Sequence, residues 1–257
     1  MDVGTPRVIR NWARTVRSFE KVFHACILIA AAGFAVLLLQ YALPAPACTF
    51  GNASFPATIC VLSDSPRTPW GIVTSLFVHE SFAGHYLPNM IGLFAFAFFF
   101  ARTNDSLPEA RRESRQRVFI GGMFASAIAA NLVWLWLSRD ASGSINYGSS
   151  GLVYAALGVT LAYSLDNLAV GVLRILNRAH VPFDRSDLRS FLSNLFVFAL
   201  LAGVALVSPA TFLSAGPGVN VLAHGLGFFF TFVSITVVSA AYRLKEGTSP
   251  IEKPLKS

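Results

Sequence analysis

Hydrophobic residues fall into six long runs along the chain, and polar connections separate these runs. They cover about residues 22–43, 85–101, 118–137, 150–165, 190–208 and 219–241. An α-helix rises 1.5 Å per residue, so about 20 apolar residues cross the roughly 30 Å hydrocarbon core of a bilayer. Four runs approach that length, whereas the second and the fourth are shorter. The pattern predicts an all-α membrane protein, a bundle of six transmembrane helices with a short central fourth helix.

The composition agrees with a membrane protein. Hydrophobic residues make up 54% of the chain and charged residues 13%, against roughly 25% charged residues in ordinary soluble domains. We divide the chain into a basic N-terminus at 1–21, a membrane domain at 22–241 and a tail at 242–257. The first run is longer than the roughly 7–15-residue core of a cleavable signal peptide, and we expect it to be retained as the first span.

The distribution of lysine and arginine predicts the orientation. The N-terminus has five, the connection from the second to the third run five, that from the fourth to the fifth run four and the tail four, which is 18 of 20. Cytoplasmic connections carry an excess of these residues, so we expect a multi-pass cell-membrane protein with both termini cytoplasmic. The net charge of +7 then reflects topology and attraction to anionic lipid, and nucleic-acid binding is not expected. The connections at 102–117 and 166–189 are predicted to be solvated.

Two polar residues inside the apolar runs suggest a catalytic pair. Ser150, within Gly148-Ser149-Ser150-Gly151, opens the fourth run, and His224 lies in the sixth. Polar and ionisable groups at membrane depth are costly, so their presence there suggests a function. If small residues such as Gly151 let the two helices approach closely, the Ser150 hydroxyl comes within hydrogen-bond reach of the imidazole. A nucleophile and its general base require that arrangement.

Neighbouring residues complete this hypothesis. A short fourth helix starts below the membrane surface, so Ser150 would lie in a recess that opens to water on the outer side. Gly148 suits an irregular loop that descends to it, and Ser149 is interpreted as a spacer. Tyr154 lies one turn after Ser150 and is placed to hold the imidazole ring. The apolar runs contain no acidic residue to orient the histidine, which predicts a Ser-His dyad.

The second run provides candidate donors for an oxyanion hole. His85 and Asn89 are four residues apart and share a helix face. Donors aimed at the oxygen on which negative charge develops lower the barrier to acyl transfer, and the backbone N–H of Ser150 is a third candidate. His79 is interpreted as an interfacial residue, with a role in shaping the recess as the alternative. The two histidines lack the i, i+4 spacing of a zinc-binding helix, which disfavours a metal hydrolase.

Taken together, the three motifs resemble those of the rhomboid intramembrane serine proteases. The second-run motif reads His85-Tyr86-Leu87-Pro88-Asn89-Met90, the fourth-run motif GxSG reads Gly148-Ser149-Ser150-Gly151, and the sixth-run motif AHxxG reads Ala223-His224-Gly225-Leu226-Gly227. The resemblance covers nearly the whole chain. One spacing differs, because in the family the outer histidine usually precedes the second-span histidine by five residues, whereas His79 and His85 are six apart.

The resemblance implies a function and roles for the residues. Ser150 would be the nucleophile and His224 the general base, with His85 and Asn89 in the oxyanion hole and Tyr154 packed on the catalytic histidine. The fold would be a rhomboid-like bundle. The activity would be that of an endopeptidase without metal or cofactor, which cleaves membrane-anchored protein substrates near the outer end of a transmembrane helix.

Alternatives remain open at this point. One alternative is a catalytically silent rhomboid-like binding or trafficking protein. Another is a small transporter whose polar residues line a pathway, although the sequence lacks the repeated halves typical of transporters. The fifth span and its outer loop at 208–218 suit either a lateral gate and cap or simple packing against lipid, because they combine bulky aromatic residues with Ala215-Gly216-Pro217-Gly218. The aromatic residues are Phe191, Phe196, Phe198 and Phe212. Cys48 and Cys60 either form a disulfide or remain thiols.

Overall fold

Six helices of the described structure are long and apolar enough to cross a membrane. A computed structural model describes residues 7–42, 48–50, 53–55, 57–63, 70–138, 147–176, 184–207 and 221–246. The first to sixth spans are Glu20–Ala42, Phe82–Asn104, Glu109–Ser138, Ser150–Leu176, Arg185–Val207 and Val221–Glu246. The predicted all-α membrane fold with six spans is confirmed.

Shorter elements precede and connect the first two spans. A helix, Arg7–Ser18, comes before the first span. The connection to the second span contains an antiparallel hairpin of strands Cys48–Phe50 and Ala53–Phe55. It also contains short helices at Ala57–Leu62 and Gly71–Thr74 and a 3₁₀ turn at Ser75–Phe77. Within the described part of the chain, this hairpin is the only β structure.

The second span starts with an irregular turn. Phe82–Tyr86 form a single π-helical turn, and Leu87–Asn104 continue as an α-helix with Pro88 in its first turn. The backbone N–H of Tyr86 donates to the carbonyl of Ser81, five residues earlier, at 2.9 Å. A π turn contains one residue more than an α turn and is common at functional sites. The span is therefore longer than the predicted apolar run at 85–101.

The fourth span forms the centre of the bundle. Every residue from Ser150 to Ser164 is buried except Tyr154, which is partly buried. A Cβ atom at Gly158 would lie 2.2 Å from Oγ1 of Thr231 and 2.5 Å from the carbonyl oxygen of Phe228. The fourth and sixth spans thus touch through their backbones, which only small residues allow. This contact brings the two motif-bearing helices together.

The prediction of a short fourth helix is wrong at its far end. The helix begins at Ser150 as predicted, but it continues to Leu176 and has 27 residues. Asp166 does not end it, because its carboxylate accepts a hydrogen bond from Arg115 at 2.6 Å and pairs with Arg243. Polar residues that have partners inside the bundle allow the helix to extend past its apolar part.

These ion pairs belong to a polar cluster at the end of the bundle opposite to Ser150. Arg115 also donates to the side-chain oxygens of Asn104 and Asn167 and lies over the Tyr163 ring, 4.4 Å from its centroid. Asn167 in turn donates to Asn194 at 3.1 Å. The cluster joins the second to sixth spans and comprises Asn104, Arg115, Tyr163, Asp166, Asn167, Asn194 and Arg243. The prediction that 102–117 and 166–189 are solvated polar segments is therefore wrong for Asn104, Arg115, Asp166 and Asn167.

Candidate active site

Ser150 is the first residue of the fourth helix, and an unusual glycine precedes it. Gly148 has a φ of 116°, a left-handed conformation that side chains with a Cβ atom rarely adopt. A Cβ atom there would also lie 2.6 Å from Nε2 of His85. Both the conformation and the space require glycine at this position. The sharp turn places Ser150 in the interior of the bundle, with only 9% of its surface exposed.

The structure brings Ser150 and His224 into hydrogen-bond contact. Oγ of Ser150 and Nε2 of His224 are 2.6 Å apart, and both residues are buried. The close packing of the two helices makes this contact possible, since a Cβ atom at Gly227 would lie 2.9 Å from the carbonyl oxygen of Gly151. A neutral imidazole at this distance accepts the serine proton, which is the geometry of a nucleophile and a general base.

Tyr154 packs on the imidazole as the sequence suggests. The rings of Tyr154 and His224 are stacked, with centroids 4.6 Å apart and an angle of 25° between their planes. Tyr154 follows Ser150 by four residues, so it lies on the same face of the fourth helix. The stacked ring limits the orientations that His224 can adopt.

His85 lies beside the segment that leads to Ser150, and its hydrogen bond defines which ring nitrogen carries the proton. The backbone N–H of Glu80 donates to Nδ1 of His85 at 3.4 Å, so the proton of the neutral ring is on Nε2. Nε2 is also the atom that approaches Gly148. His85 therefore presents an N–H donor next to Gly148.

Asn89 follows His85 by one helical turn. Its side-chain nitrogen is buried, and among the described residues it has no hydrogen-bond partner. Buried polar groups are nearly always paired in native proteins, so an unpaired amide at this place is a donor that a ligand can satisfy. The two residues supply the kind of donors that an oxyanion hole needs.

His79 and Ser149 form a second histidine-serine pair, which sequence reasoning missed. Nε2 of His79 and Oγ of Ser149 are 2.8 Å apart, and both residues are fully buried. The interpretation of His79 as interfacial is wrong, and Ser149 is more than a spacer. Burial, with a smaller effect from nearby His85, lowers the pKa of His79 to about 4. The two residues are 70 positions apart, so the only signal in the sequence is the additional serine in Gly148-Ser149-Ser150-Gly151.

The unusual spacing of His79 and His85 is explained by the π turn of the second span. This turn, Phe82–Tyr86, begins after His79 and contains His85, and it accommodates one more residue than an α turn. The two rings remain in edge contact, with centroids 5.2 Å apart. The spacing of six residues therefore still places both histidines at the same site.

The segment before the second span also supports the turn at Gly148. The backbone N–H of Gly148 donates to the carbonyl of Ser75 at 2.8 Å. Asn131, a buried residue of the third span, donates to Oγ of Ser75 at 3.2 Å and to the carbonyl of Ile72 at 2.9 Å. The third span therefore holds the connection at 72–75, and this connection in turn holds Gly148.

Some predictions fall outside the described residues. One is the loop at 208–218 with its alternative of a gate. Another is the pairing of Cys48 with Cys60, because only the backbone of these two residues is described. Among the residues that the structure describes, no group of three or more His, Cys, Asp or Glu side chains is arranged to hold a metal ion.

Comparison with known proteins agrees with the motifs. The family model described as the Rhomboid domain matches residues 66–241. No curated protein and no solved structure matches the chain. The matched region begins before the 3₁₀ turn at Ser75–Phe77 and includes the second to sixth spans up to residue 241.

Proposed function

Because the chain belongs to the rhomboid family, we propose that it is an intramembrane serine endopeptidase. Its substrates are membrane-anchored proteins, in which it hydrolyses peptide bonds in or near a transmembrane segment. The observation that carries the proposal is the 2.6 Å contact between Oγ of Ser150 and Nε2 of His224, on which Tyr154 is stacked. A buried hydroxyl and imidazole in this arrangement are suited to acyl transfer.

In the proposed mechanism Ser150 attacks the carbonyl carbon of the scissile bond. His224 takes the hydroxyl proton at Nε2 as the bond between Oγ and the carbonyl carbon forms. It then gives the proton to the leaving amine as the peptide bond breaks, which leaves an acyl-enzyme on Ser150. Water, activated by the same imidazole, hydrolyses the ester and restores the serine. His224 and Ser150 act as a dyad, with Tyr154 holding the ring.

The oxygen of the tetrahedral intermediate requires hydrogen-bond donors. We assign this role to three groups: Nε2–H of His85, the side-chain amide of Asn89 and the backbone N–H of Ser150. Ser150 is at the N-terminus of a 27-residue helix, where backbone N–H groups have no acceptor within the helix and favour negative charge. Each such donor typically contributes about 3 kcal/mol to lowering the barrier.

We also propose that both termini are cytoplasmic and that the site opens to the outer side of the cell membrane. The two termini and the two connections on one side contain 18 of the 20 lysines and arginines, and cytoplasmic segments carry an excess of these residues. Arg115 and Arg243 of the polar cluster belong to that side. Asp166 follows Ser150 by 16 residues in one helix, so the cluster is about 24 Å from the nucleophile.

A fluorophosphonate probe tests the proposed nucleophile. In detergent, the wild-type protein is expected to become labelled, whereas Ser150→Ala and His224→Ala are expected to lose the label. Ser164→Ala is the matched control, because Ser164 is a buried serine of the same helix, about 21 Å from Ser150. Equal labelling of wild type and Ser150→Ala would reject the proposal, and a folded wild type that takes no label would favour a silent rhomboid-like protein.

A further inference from the structure

We propose that the hydrogen bond between His79 and Ser149 positions the nucleophile against the oxyanion hole. This inference rests on the proposed protease function and adds two positioning residues to it. His79 and Ser149 do not touch the substrate in this account. They act by fixing the segment Gly148–Ser150 relative to His85, so that the hydroxyl and the donors meet the same carbonyl group.

Three consecutive residues are each held by a different partner. The N–H of Gly148 donates to the carbonyl of Ser75 at 2.8 Å. The hydroxyl of Ser149 bonds to His79 at 2.8 Å, and that of Ser150 bonds to His224 at 2.6 Å. The Ser149 contact therefore anchors the residue between Gly148, with its positive φ, and the nucleophile.

The direction of the central hydrogen bond follows from the other nitrogen of His79. Nδ1 lies 3.2 Å from the carbonyl oxygen of Phe77, which can only accept, so Nδ1 carries the proton. Nε2 of the neutral ring is then an acceptor, and the Ser149 hydroxyl donates to it. The lowered pKa of His79 agrees with a neutral ring at physiological pH. Each ring nitrogen of His79 therefore has one role: Nδ1 donates to Phe77 and Nε2 accepts from Ser149.

His79 contacts both halves of the site. Its ring lies against those of His85 and Tyr86, each with centroids 5.2 Å apart, while its Nε2 holds Ser149. Gly148 already approaches His85 so closely that a Cβ atom would lie 2.6 Å from Nε2. A small movement of the segment therefore either causes a clash or widens the gap between the donor and Ser150. Misplacement of reacting groups by about 1 Å can lower a rate by about 100-fold.

The test measures how the rate of labelling by the fluorophosphonate probe depends on the probe concentration. This dependence gives two values: the maximal labelling rate and the probe concentration at which half of that rate is reached. Ser149→Ala and His79→Phe each remove the hydrogen bond, and we expect the maximal rate to fall about tenfold at an unchanged half-saturating concentration. Ser149→Thr keeps the hydroxyl and His79→Gln keeps an acceptor, so both are expected to recover most of the rate. Because the two residues act through one bond, the double variant Ser149→Ala/His79→Phe is expected to lose no more than either single variant.

Thr160→Ala is the matched control for a structural effect. Thr160 is a fully buried residue of the same helix, and its hydroxyl donates to the carbonyl of Ala156 at 2.8 Å. Its loss is expected to lower the unfolding temperature about as much as Ser149→Ala while the labelling rate stays at the wild-type value. Wild-type kinetics in folded Ser149→Ala and His79→Phe, or losses that add in the double variant, would overturn the inference. The proposed function is tested separately. It fails if the folded wild-type protein takes no label or if Ser150→Ala is labelled as strongly as wild type.

Discussion

The polar cluster gives the strongest prediction about stability. Asp166 is the shared partner of Arg115 and Arg243, and the side chains of Arg115 and Asp166 are only 15% and 11% exposed. Replacing Asp166 by Asn keeps the size of the side chain but leaves two guanidinium groups without their carboxylate. Removing one partner of a buried ion pair typically costs about 3–5 kcal/mol, because the remaining charge is left uncompensated. We expect Asp166→Asn to lower the free energy of unfolding by about this amount.

The measurement is reversible unfolding of the purified protein in detergent, followed by circular dichroism. Glu113→Gln is the matched control, since the pair of Glu113 with Lys21 is 43% and 52% exposed, and exposed pairs contribute roughly 0–1 kcal/mol. Because Asp166 is far from Ser150, the protein that remains folded should label with the fluorophosphonate probe at the wild-type rate. A loss below about 1 kcal/mol for Asp166→Asn, or one equal to that of Glu113→Gln, would refute the interpretation of the cluster as a buried network.

Three further predictions concern packing, pH and catalysis. Gly158→Ala should destabilise the protein by about 2 kcal/mol or more, because the added Cβ atom meets the backbone of the sixth span, whereas Gly121→Ala, with nothing within 4 Å of its Cβ position, should be neutral or slightly stabilising in the same unfolding assay. The pKa of His79 is near its ordinary value of 6.5 in the unfolded protein and about 4 in the folded protein. The contribution of His79 to the free energy of unfolding is therefore complete above pH 6.5 and falls by about 3 kcal/mol towards pH 4. Thermal unfolding between these pH values should show a weaker dependence in His79→Gln, and an unchanged dependence would contradict the lowered pKa. Asn89→Ala should reduce the rate of substrate cleavage by about 100-fold with little change in unfolding temperature, and an unchanged rate would remove Asn89 from the mechanism.

Hydropathy predicted those features of the fold that depend on a single stretch of the chain. The number of spans and the start of the fourth helix at Ser150 follow from local apolar runs and from a glycine before the helix. The far end of that helix was not predictable in this way, because Asp166 reads as a break unless its partners are known. Those partners, Arg115 and Arg243, are 51 and 77 positions away in the sequence.

The candidate site was also predicted only in part. The resemblance of the motifs named the residues that the structure brings together, Ser150, His224 and Tyr154. It gave no indication of the bond between His79 and Ser149, which depends on how the connection before the second span folds onto the fourth helix. The π turn that keeps His79 beside His85 was also not predictable, because its sequence, Phe82 to Tyr86, carries no signal that distinguishes it from an α turn.

The most direct test of the central claim is cleavage of a membrane-anchored substrate in proteoliposomes. The substrate is a single transmembrane helix with alanine before the intended cut near its outer end and a fluorophore and quencher on either side. Purified wild-type protein is expected to cleave it, and Ser150→Ala, reconstituted at the same density, is expected to retain no detectable cleavage. Equal cleavage by both proteins would contradict the assignment of Ser150 as nucleophile, and no cleavage of this or other transmembrane substrates by a folded, probe-reactive wild type would contradict the proposed protease function.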